Sequence, residues 1–335
     1  MTLRLPEPPG RSRPLDILPA VTSLSLVTGG AGFIGSHVVE RLLRDGGRVR
    51  VFDNFSTGRR ENLPFAREFA DRLEIIDGDL RDLAAVQRAV SGVGVIYHQA
   101  AMRSVPRSVA DPLGANDNNV TGTLHVLEAA RRSGVRRLVY ASSSSVYGDN
   151  PELPKREDQP LAPISPYAVS KTADELYARV WTKLYGVETV GLRYFNVFGP
   201  RQDPASEYAA VIPRFILWGL RGVALEVHGD GAQSRDFTYI ENVVEANLLA
   251  AQAPDAAGEA FNVGCGERTS LLQVIALIEK MIGRRLEIRH HPRRDGDVAH
   301  TLADVSKAKR LLGYSPLVDF PEGLRRTVEF FKPLA

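Results

Sequence analysis

Apolar runs and segments of helical periodicity follow one another regularly along the first two thirds of the chain. Short runs with the character of buried strands occur at 24–29, 48–54, 73–79, 94–101, 136–143 and 187–197. Helical periodicity appears between them, most clearly at 33–47, 82–90, 111–134 and 166–186. Each connection is long enough for a right-handed parallel crossover. The pattern therefore predicts an α/β fold with a doubly wound parallel sheet of the Rossmann type.

The rhythm loosens after Asn196, where loops precede a predicted helix at about 211–220. Short strands and two C-terminal helices are expected to complete a smaller, partly interleaved substrate domain. The first twenty residues are rich in Pro and Arg and lack the apolar core of a secretory signal, so we expect a flexible extension. The predicted divisions are an extension at 1–20, a dinucleotide-binding domain at 21–195 with segments returning at about 228–262, and a substrate domain at 196–227 and 263–335.

Composition excludes several classes of protein. Hydrophobic residues make up 44% and charged residues 24% of the 335 positions, as in ordinary globular proteins. The net charge of +2 creates no overall field toward nucleic acid or a membrane, and no apolar run is long enough to span a bilayer. Cys265 is the single cysteine, which fits a reducing compartment, and the seven histidines show no metal-ligand spacing. We expect a cytoplasmic protein without a metal site and without a nucleic-acid or membrane partner.

The segment TGGAGFIGSH lies between the first predicted strand and the first predicted helix. Gly29, Gly32 and Gly35 have the G-x-x-G-x-x-G spacing, and Gly30 in place of Gly29 gives the related G-x-G-x-x-G pattern. Such glycines allow a tight turn and a backbone that approaches a pyrophosphate, with a helix N-terminus aimed at its charge. Because the strand and helix context is also present, the segment predicts a dinucleotide site.

Two acidic residues follow the next strands. Asp53 ends the second strand about twenty residues beyond the glycines, where an acid accepts hydrogen bonds from the adenosine ribose. An acid at this position repels a 2′-phosphate and favours NAD over NADP, although Asp53 also fits a loop-capping role. Asp79 ends the third strand and is placed to meet the adenine, with a turn residue as the alternative interpretation.

A candidate catalytic group follows in the motifs YASSSSVYGD and SPYAVSK. Tyr167 and Lys171 are four residues apart at the start of a predicted helix and so share one face. Ser143 lies at the carboxyl end of the fifth strand, where ligands bind in such sheets, and Ser144 is a second candidate. The three residue types in this order, after a dinucleotide loop, are strong evidence for a catalytic group.

From about Leu24 to its C-terminus the chain resembles the extended short-chain dehydrogenase/reductases, and within them the UDP-glucose/UDP-N-acetylglucosamine 4-epimerases. The motifs that carry the resemblance are TGGAGFIGSH, FDNFSTG, DGDLRD, HQAAMRSVPRS, SVYGD, SPYAVSK, RYFNVFGPRQ, SRDFTYIENV and RDGDVAHTLADVSKA. The resemblance implies that NAD accepts a hydride from C4 of the sugar while Tyr167 takes the hydroxyl proton. It also implies that Lys171 holds the nicotinamide ribose and that Ser143 binds the reacting hydroxyl.

Tyrosine is a weak base near neutral pH, which explains the need for the lysine. A free tyrosine has a pKa near 10, so action as a base requires a fall of about three units, roughly 4 kcal/mol. One cation about 5 Å away, at an effective dielectric constant near 20, supplies about 3 kcal/mol. The ammonium of Lys171 and the positive nicotinamide are therefore both expected to contribute.

The resemblance also implies residues that contact the two ligands. Those expected to bind NAD are Gly29, Gly32, Phe33, Ile34, Gly35, Asp53, Asn54, Asp79, Leu80, Gln99, Ala100, Ala101, Arg103, Asn118, Tyr167, Lys171 and Tyr194. Those expected to bind the UDP-sugar are Ser104, Ser143, Asn196, Val211, Val227, Arg235, Arg294, Asp297 and Thr301. The two arginines and Asn196 are assigned to the phosphates, Asp297 to the ribose of UDP and Val227 to the edge of the uracil. The long helices that start near Asp111 and Pro166 are expected to pair with their copies in a homodimer.

Substitutions at a few positions favour C4 epimerisation over related reactions. Related dehydratases and decarboxylases carry acids after the active-site serine or threonine, where this chain has Ser144 and Ser145. The small Thr301 favours N-acetylated as well as plain UDP-hexoses, while Arg103 departs from the glycine of the N-acetyl-accepting group. The closest alternative is a UDP-glucuronate 4-epimerase, because its members also have four serines followed by VYG. A non-catalytic NAD-binding scaffold is the alternative from another class.

Overall fold

A parallel sheet of seven strands forms the centre of the protein. The computed structural model describes residues 23–204, 211–292 and 299–335. The predicted extension at 1–20 lies outside these residues. In chain order the strands are β1 (Leu24–Thr28), β2 (Arg48–Asp53), β3 (Leu73–Asp77), β4 (Val93–His98), β5 (Arg137–Ser143), β6 (Glu188–Tyr194), β7 (Val197–Phe198), β8 (Leu225–His228), β9 (Ser234–Arg235), β10 (Thr238–Tyr239), β11 (Ala260–Val263), β12 (Thr269–Ser270) and β13 (Ile288–His291).

The order of strands in the central sheet is β11-β6-β5-β4-β1-β2-β3, and all neighbouring pairs are parallel. The direction in which the chain builds the sheet reverses between β1 and β4. In open α/β sheets, a ligand crevice forms at this switch point, outside the carboxyl ends of the strands. The predicted doubly wound Rossmann fold is confirmed.

Helices cover both faces of the sheet, which explains why its strands are apolar on both sides. Val38 and Val39 pack into the core on one face, and Val126 and Leu127 pack into the core on the other. The helices are α1 (Phe33–Arg44), α2 (Leu83–Val90), α3 (Val105–Ala110), α4 (Pro112–Asn116), α5 (Gly122–Ser133), α6 (Pro166–Tyr185), α7 (Val211–Arg221), α8 (Ile240–Gln252), α9 (Leu271–Ile282), α10 (Ser306–Leu312) and α11 (Phe320–Phe331).

The helix predicted at 111–134 contains an irregular segment in the structure. A π-helical turn, Asp117–Thr121, joins α4 to α5, and Gly134 ends α5 in the left-handed conformation as expected. The wider turn places the polar Asn119 in the interior, where it is 1% exposed. The short helix α3 just before this segment was not predicted.

The C-terminal third is more helical than the sequence indicated. Its helix predicted at about 211–220 is observed as α7, but three helices, α9, α10 and α11, follow β11 where two C-terminal helices were expected. The chain also returns to the central sheet, because β11 forms its edge next to β6. Small two-stranded sheets, β8 with β13 and β9 with β12, lie outside it. None of the helices in the described ranges is long and apolar enough to cross a membrane.

Candidate active site

The loop between β1 and α1 is shaped by two glycines, Gly29 and Gly35, at positions that leave little room for a Cβ. Gly29 has φ +65°, and a Cβ there would lie 2.7 Å from the amide nitrogen of Ala100. A Cβ at Gly35 would overlap the carbonyl oxygen of Gly29. The loop therefore packs closely against α1 and the segment after β4, and the N-terminus of α1 faces the crevice. This bare cradle at a helix N-terminus fits a pyrophosphate.

Asp53 combines the two roles considered for it. Its carboxylate accepts hydrogen bonds from the backbone nitrogens of Ala31 and Phe55, both at 2.9 Å, and so ties β2 to the glycine loop. Burial raises its pKa, and the two backbone hydrogen bonds oppose that shift. A carboxylate offers about four lone-pair positions, so two remain for ribose hydroxyls. Asp53 caps the loop and also lines the large cavity described below.

The carboxylate of Asp79 is fixed by hydrogen bonds from neighbouring polar groups. It accepts hydrogen bonds from the guanidinium and backbone nitrogen of Arg81 and, at 3.0 Å, from the side-chain amide of Asn54. The hydrogen bonds from Arg81 are the largest cause of a lowered pKa for Asp79. Asn54 and Asp79 therefore form one fixed polar edge of the cavity at the ends of β2 and β3.

Every residue that the sequence assigned to NAD lines a single cavity of about 380 Å³ at the carboxyl edge of the sheet. The cavity runs from the glycine loop past Asp53 and Asp79 to Tyr167 and Lys171. Ala100, Ala101 and Arg103 come from the segment that follows β4. The prediction that these residues contact NAD stays a prediction, but the structure places all of them on one surface.

Tyr167 and Lys171 lie in the first turns of α6. Ser165 caps the helix by accepting a hydrogen bond from the backbone nitrogen of Ala168, and Pro166 occupies the first helical position. Lys171 is buried, and its Nζ lies 3.0 Å from Asp174 Oδ2. Burial acts to lower the pKa of Lys171, but the charges of Asp174 and Tyr167 more than offset it, and the net pKa is raised. The lysine at this site is therefore an ammonium.

The serines at the end of β5 differ in their surroundings. Ser142 lines the cavity but donates its hydroxyl hydrogen to Glu175, with the two oxygens 2.5 Å apart. The hydroxyl of Ser143 accepts hydrogen bonds from the backbone nitrogen of Ser145 at 3.1 Å and from its hydroxyl at 2.9 Å. Ser143 therefore keeps its own proton to donate, as the predicted contact with a sugar oxygen requires.

A second cavity contains part of the predicted substrate site. Asn196, Val211 and Arg235 line it together with residues of α7 and β8. Asn196 follows the end of β6 and has φ +34°, and its side-chain amide donates to Thr301 Oγ1 at 3.1 Å. Thr301 thus orients Asn196. Val227 is fully buried in β8 beside this cavity, which limits it to shaping the wall.

The remaining predicted substrate residues are placed less directly. Ser104 caps α3 and accepts a hydrogen bond from the backbone nitrogen of Arg107. Among the described residues, Ser104 and Ser143 line neither of the two cavities. Arg294 and Asp297 lie outside the described residues. No group of three or more potential metal-ligating side chains occurs in the part of the chain that the structure describes.

Two residues that hold lining residues of the first cavity in place were not predicted from the sequence. Asn119 accepts a hydrogen bond from the backbone nitrogen of Met102 at 2.7 Å and donates to Ser170, so it links the loop after β4 to α6. Asn247 in α8 accepts from Gln99 at 2.9 Å and contacts Tyr194. For Asn119, the sequence offered one indication of a buried role, namely two adjacent asparagines inside a helical pattern. For Asn247 it offered none.

The glycine cradle, the acid after β2 and the tyrosine–lysine pair on α6 define a dinucleotide-dependent enzyme of the short-chain dehydrogenase/reductase type. Residues 25–264 match the model of the NAD dependent epimerase/dehydratase family. The chain belongs to this family, in its extended branch, and the prediction of NAD as the cofactor is confirmed by that membership.

Relatives with solved structures or curated names agree with this placement. The UDP-glucose 4-epimerase of Mycolicibacterium smegmatis is 42% identical over 314 residues, which cover 92% of this chain and 98% of the relative. The UDP-N-acetylglucosamine 4-epimerase of Methanobrevibacter ruminantium, in complex with UDP-N-acetylmuramic acid, superposes with a TM-score of 0.90 at 39% identity, covering 94% and 99% of the two chains. The UDP-glucuronic acid 4-epimerase of Bacillus cereus, with UDP-glucuronic acid and NAD, superposes with a TM-score of 0.86 at 33% identity, covering 93% and 100%.

Proposed function

We propose that this protein is an NAD-dependent 4-epimerase of UDP-hexoses. The observation that carries the proposal is the single cavity that joins the glycine loop to Tyr167 and Lys171. A base beside a lysine at the nicotinamide end of such a cavity suits reversible oxidation of a sugar hydroxyl. The relatives named above act on UDP-sugars and support the nucleotide part of the substrate.

The residues of the chain have distinct tasks in this reaction. Tyr167 takes the proton of the C4 hydroxyl, and Ser143 donates a hydrogen bond to the same oxygen. The ammonium of Lys171 stabilises the tyrosinate and holds the ribose of the cofactor. When bound, NAD would supply a reversible hydride acceptor for C4, so that the sugar would pass through a 4-keto form that can be reduced from either face. Inversion follows when the keto sugar turns over while its nucleotide stays bound.

Retention of the nucleotide is assigned to the second cavity. The guanidinium of Arg235 donates to the carbonyl oxygens of Ser234 and Ala299, which fixes it at the cavity wall. A planar guanidinium pairs well with phosphate oxygens. Asn196 is fixed by Thr301, and Arg294 and Asp297 remain proposed ligands from the sequence. No acid follows Ser143, because Ser144 and Ser145 occupy the next positions, so elimination of water from the keto sugar is not supported.

The proposed substrates are UDP-glucose and UDP-galactose together with their N-acetylated counterparts. The small side chain of Thr301 leaves room at C2 of the sugar, and the Methanobrevibacter ruminantium relative supports N-acetylated sugars. A UDP-glucuronate 4-epimerase is the second candidate, supported by the Bacillus cereus relative. To test both, the purified protein is incubated with each UDP-sugar, with and without added NAD, and the C4 epimers are separated. Conversion of UDP-glucuronate alone would favour the second candidate, and no conversion at all would favour a non-catalytic NAD-binding scaffold.

We also propose that the protein is a homodimer. A stripe of exposed apolar side chains runs along α6 and includes Val169, Leu176, Val180 and Leu184, which are 53%, 56%, 42% and 65% exposed. Leu113 in α4 adds to it at 79% exposed. Leu127, in contrast, is buried in the core of the monomer. Paired copies of α6 would remove this stripe from water, and sedimentation of the protein at several concentrations measures the association.

A further inference from the structure

A buried ion pair joins Lys171 to Asp174, and the proposed reaction gives Asp174 no task. Lys171 Nζ and Asp174 Oδ2 are 3.0 Å apart, and each of the two side chains is only 2% exposed. Charged pairs of this kind are costly to bury, and the cost is offset only when the geometry is good. An ion pair in contact with the predicted site is therefore a candidate for a role there.

The helix sets the order of the three charged groups. Tyr167, Lys171 and Asp174 are spaced by four and three residues and so lie on the same face of α6. Asp174 is about 10 Å farther along the helix axis than Tyr167. The positive member of the pair thus faces the tyrosine, and the negative member faces away from it. A tyrosinate is stabilised by this arrangement because the attractive charge is the nearer one.

Asp174, and not the neighbouring Glu175, is the carboxylate that forms the ion pair with Lys171. Glu175, the next residue, binds the guanidinium of Arg193 at 2.7 Å and accepts the hydroxyl of Ser142. Its two oxygens are therefore occupied by other partners. An ammonium buried without a hydrogen-bonded carboxylate would lose its proton readily, because desolvation disfavours the charged form. Asp174 supplies the charge that prevents this.

The other side of the pair is closed by neutral polar groups. His98 lies between Thr28 and Thr123, with its ring nitrogens 2.7 and 3.0 Å from their hydroxyl oxygens. Burial lowers the pKa of His98 to about 3, so no positive charge competes with Lys171 from β4. The titratable and charged groups that face the pair are Tyr167 and Glu175 on α6, His98 on β4, Tyr140 on β5 and Arg193 on β6.

We propose that Asp174 is a positioning residue that keeps the ammonium of Lys171 charged and fixed beside Tyr167. Its catalytic consequence rests on the proposed epimerase function, whereas its effect on the lysine does not. Removal of the carboxylate would let Lys171 lose its proton at a lower pH, and the tyrosine would then lose its stabilising cation. The pair thereby extends the activity of the site toward alkaline pH.

The low lysine content makes a direct test practical. The chain has seven lysines, at positions 155, 171, 183, 280, 307, 309 and 332. Labelling of the full chain with [ε-¹³C]lysine gives one NMR signal for each, and a Lys171→Met variant identifies the signal of Lys171. In the unaltered protein with bound NAD, this signal is expected to stay in its ammonium position when the exposed lysines have titrated. Titration of Lys171 together with the exposed lysines, or below them, would overturn the proposal without any variant at Asp174.

The variant Asp174→Asn removes the charge and keeps the shape. The titration of Lys171 is expected to move down by about 1 to 3 pH units, and the alkaline limb of the kcat–pH profile is expected to move with it. Glu175→Gln is the matched control, because it removes a neighbouring buried carboxylate that binds Arg193, and its effect on Lys171 should be smaller. An unchanged lysine titration in Asp174→Asn would refute the proposal, and so would a shifted titration with an unshifted kcat profile. If the unaltered protein converts no UDP-sugar, the proposed function fails, while the NMR titration still decides what Asp174 does to Lys171.

Discussion

Gly35 in α1 is packed so closely against the carbonyl oxygen of Gly29 that a single methyl group between them would overlap that oxygen. This relationship joins the start of the helix to the turn that precedes it. It fixes the position of the backbone nitrogens that would meet the pyrophosphate of NAD. The cofactor part of the site therefore depends on the absence of a side chain more than on any side chain.

Gly35→Ala is expected to weaken NAD binding by about 10- to 100-fold. The added methyl group overpacks the site at a cost of about 1 to 3 kcal/mol, and the loop must move to relieve it. Calorimetric titration with NAD measures the change. Gly283→Ala is the control, because a Cβ at Gly283 has open space and only the positive φ of 75° opposes it. That variant should lose about 1 kcal/mol of stability and keep its NAD affinity. Equal affinities in both variants would show that the glycine contact is not needed for NAD.

Tyr167→Phe is expected to lower kcat by about 10²- to 10⁴-fold, as for the loss of a general base. The aromatic ring is kept, so the NAD content and the thermal midpoint should stay close to those of the unaltered protein. Tyr177→Phe on the exposed side of the same helix serves as the control and should leave kcat unchanged. A Tyr167→Phe protein with full turnover would remove the tyrosine from the proposed reaction.

Two substitutions at Thr301 separate its size from its hydroxyl group. Thr301→Tyr fills the proposed space at C2 and should reduce kcat/KM for N-acetylated sugars more than for plain hexoses. Thr301→Val keeps the size but removes the hydrogen bond from Asn196. It should reduce kcat/KM for both substrate classes alike, by about 5- to 10-fold for one hydrogen bond. Equal losses on both classes with Thr301→Tyr would contradict the assigned role in substrate breadth.

Acid should destabilise the folded protein through two histidines, the buried His98 and the half-buried His37. Burial, assisted by Arg201, lowers the pKa of His37 to about 4, and burial lowers that of His98 to about 3, from an ordinary value of 6.5. As the pH falls from 6.5 to about 4, these histidines therefore bind protons in the unfolded chain but not in the folded chain. In this window each histidine should reduce the free energy of unfolding by about 1.4 kcal/mol per pH unit.

Urea unfolding at a series of pH values measures this slope. His98→Asn should reduce the slope by the share of one histidine, whatever its effect on stability at neutral pH. His290→Asn, a substitution at an exposed site, should leave the slope unchanged. A slope that is the same in all three proteins would show that His98 takes up its proton without unfolding.

The sequence was sufficient where the determinants of structure are local. The strand–glycine–helix segment at Gly29–Gly35 and the spacing of Tyr167 and Lys171 are each contained within one short stretch. The fold class followed from such stretches, and the family resemblance carried by the motifs implied the set of residues around the first cavity. The structure confirms the fold class and places these residues along one cavity.

Contacts between distant segments could not be predicted in this way. Gln99 meets Asn247 across 148 positions of sequence, and Asn196 meets Thr301 across 105. The π-helical turn that buries Asn119 depends on partners in the loop after β4 and in α6. Polar residues such as these have no periodicity that marks them as buried, so only the packed structure reveals their partners.

In the proposed reaction, hydrogen leaves C4 of a bound UDP-sugar as a hydride and returns to the same carbon. UDP-[4-²H]glucose and UDP-[4-²H]-N-acetylglucosamine, incubated separately with the protein in ordinary water, test this directly. The corresponding galacto epimers are expected to form and to keep their deuterium at C4. Loss of the deuterium to solvent, or the absence of both epimers after prolonged incubation with added NAD, would contradict the proposed reaction.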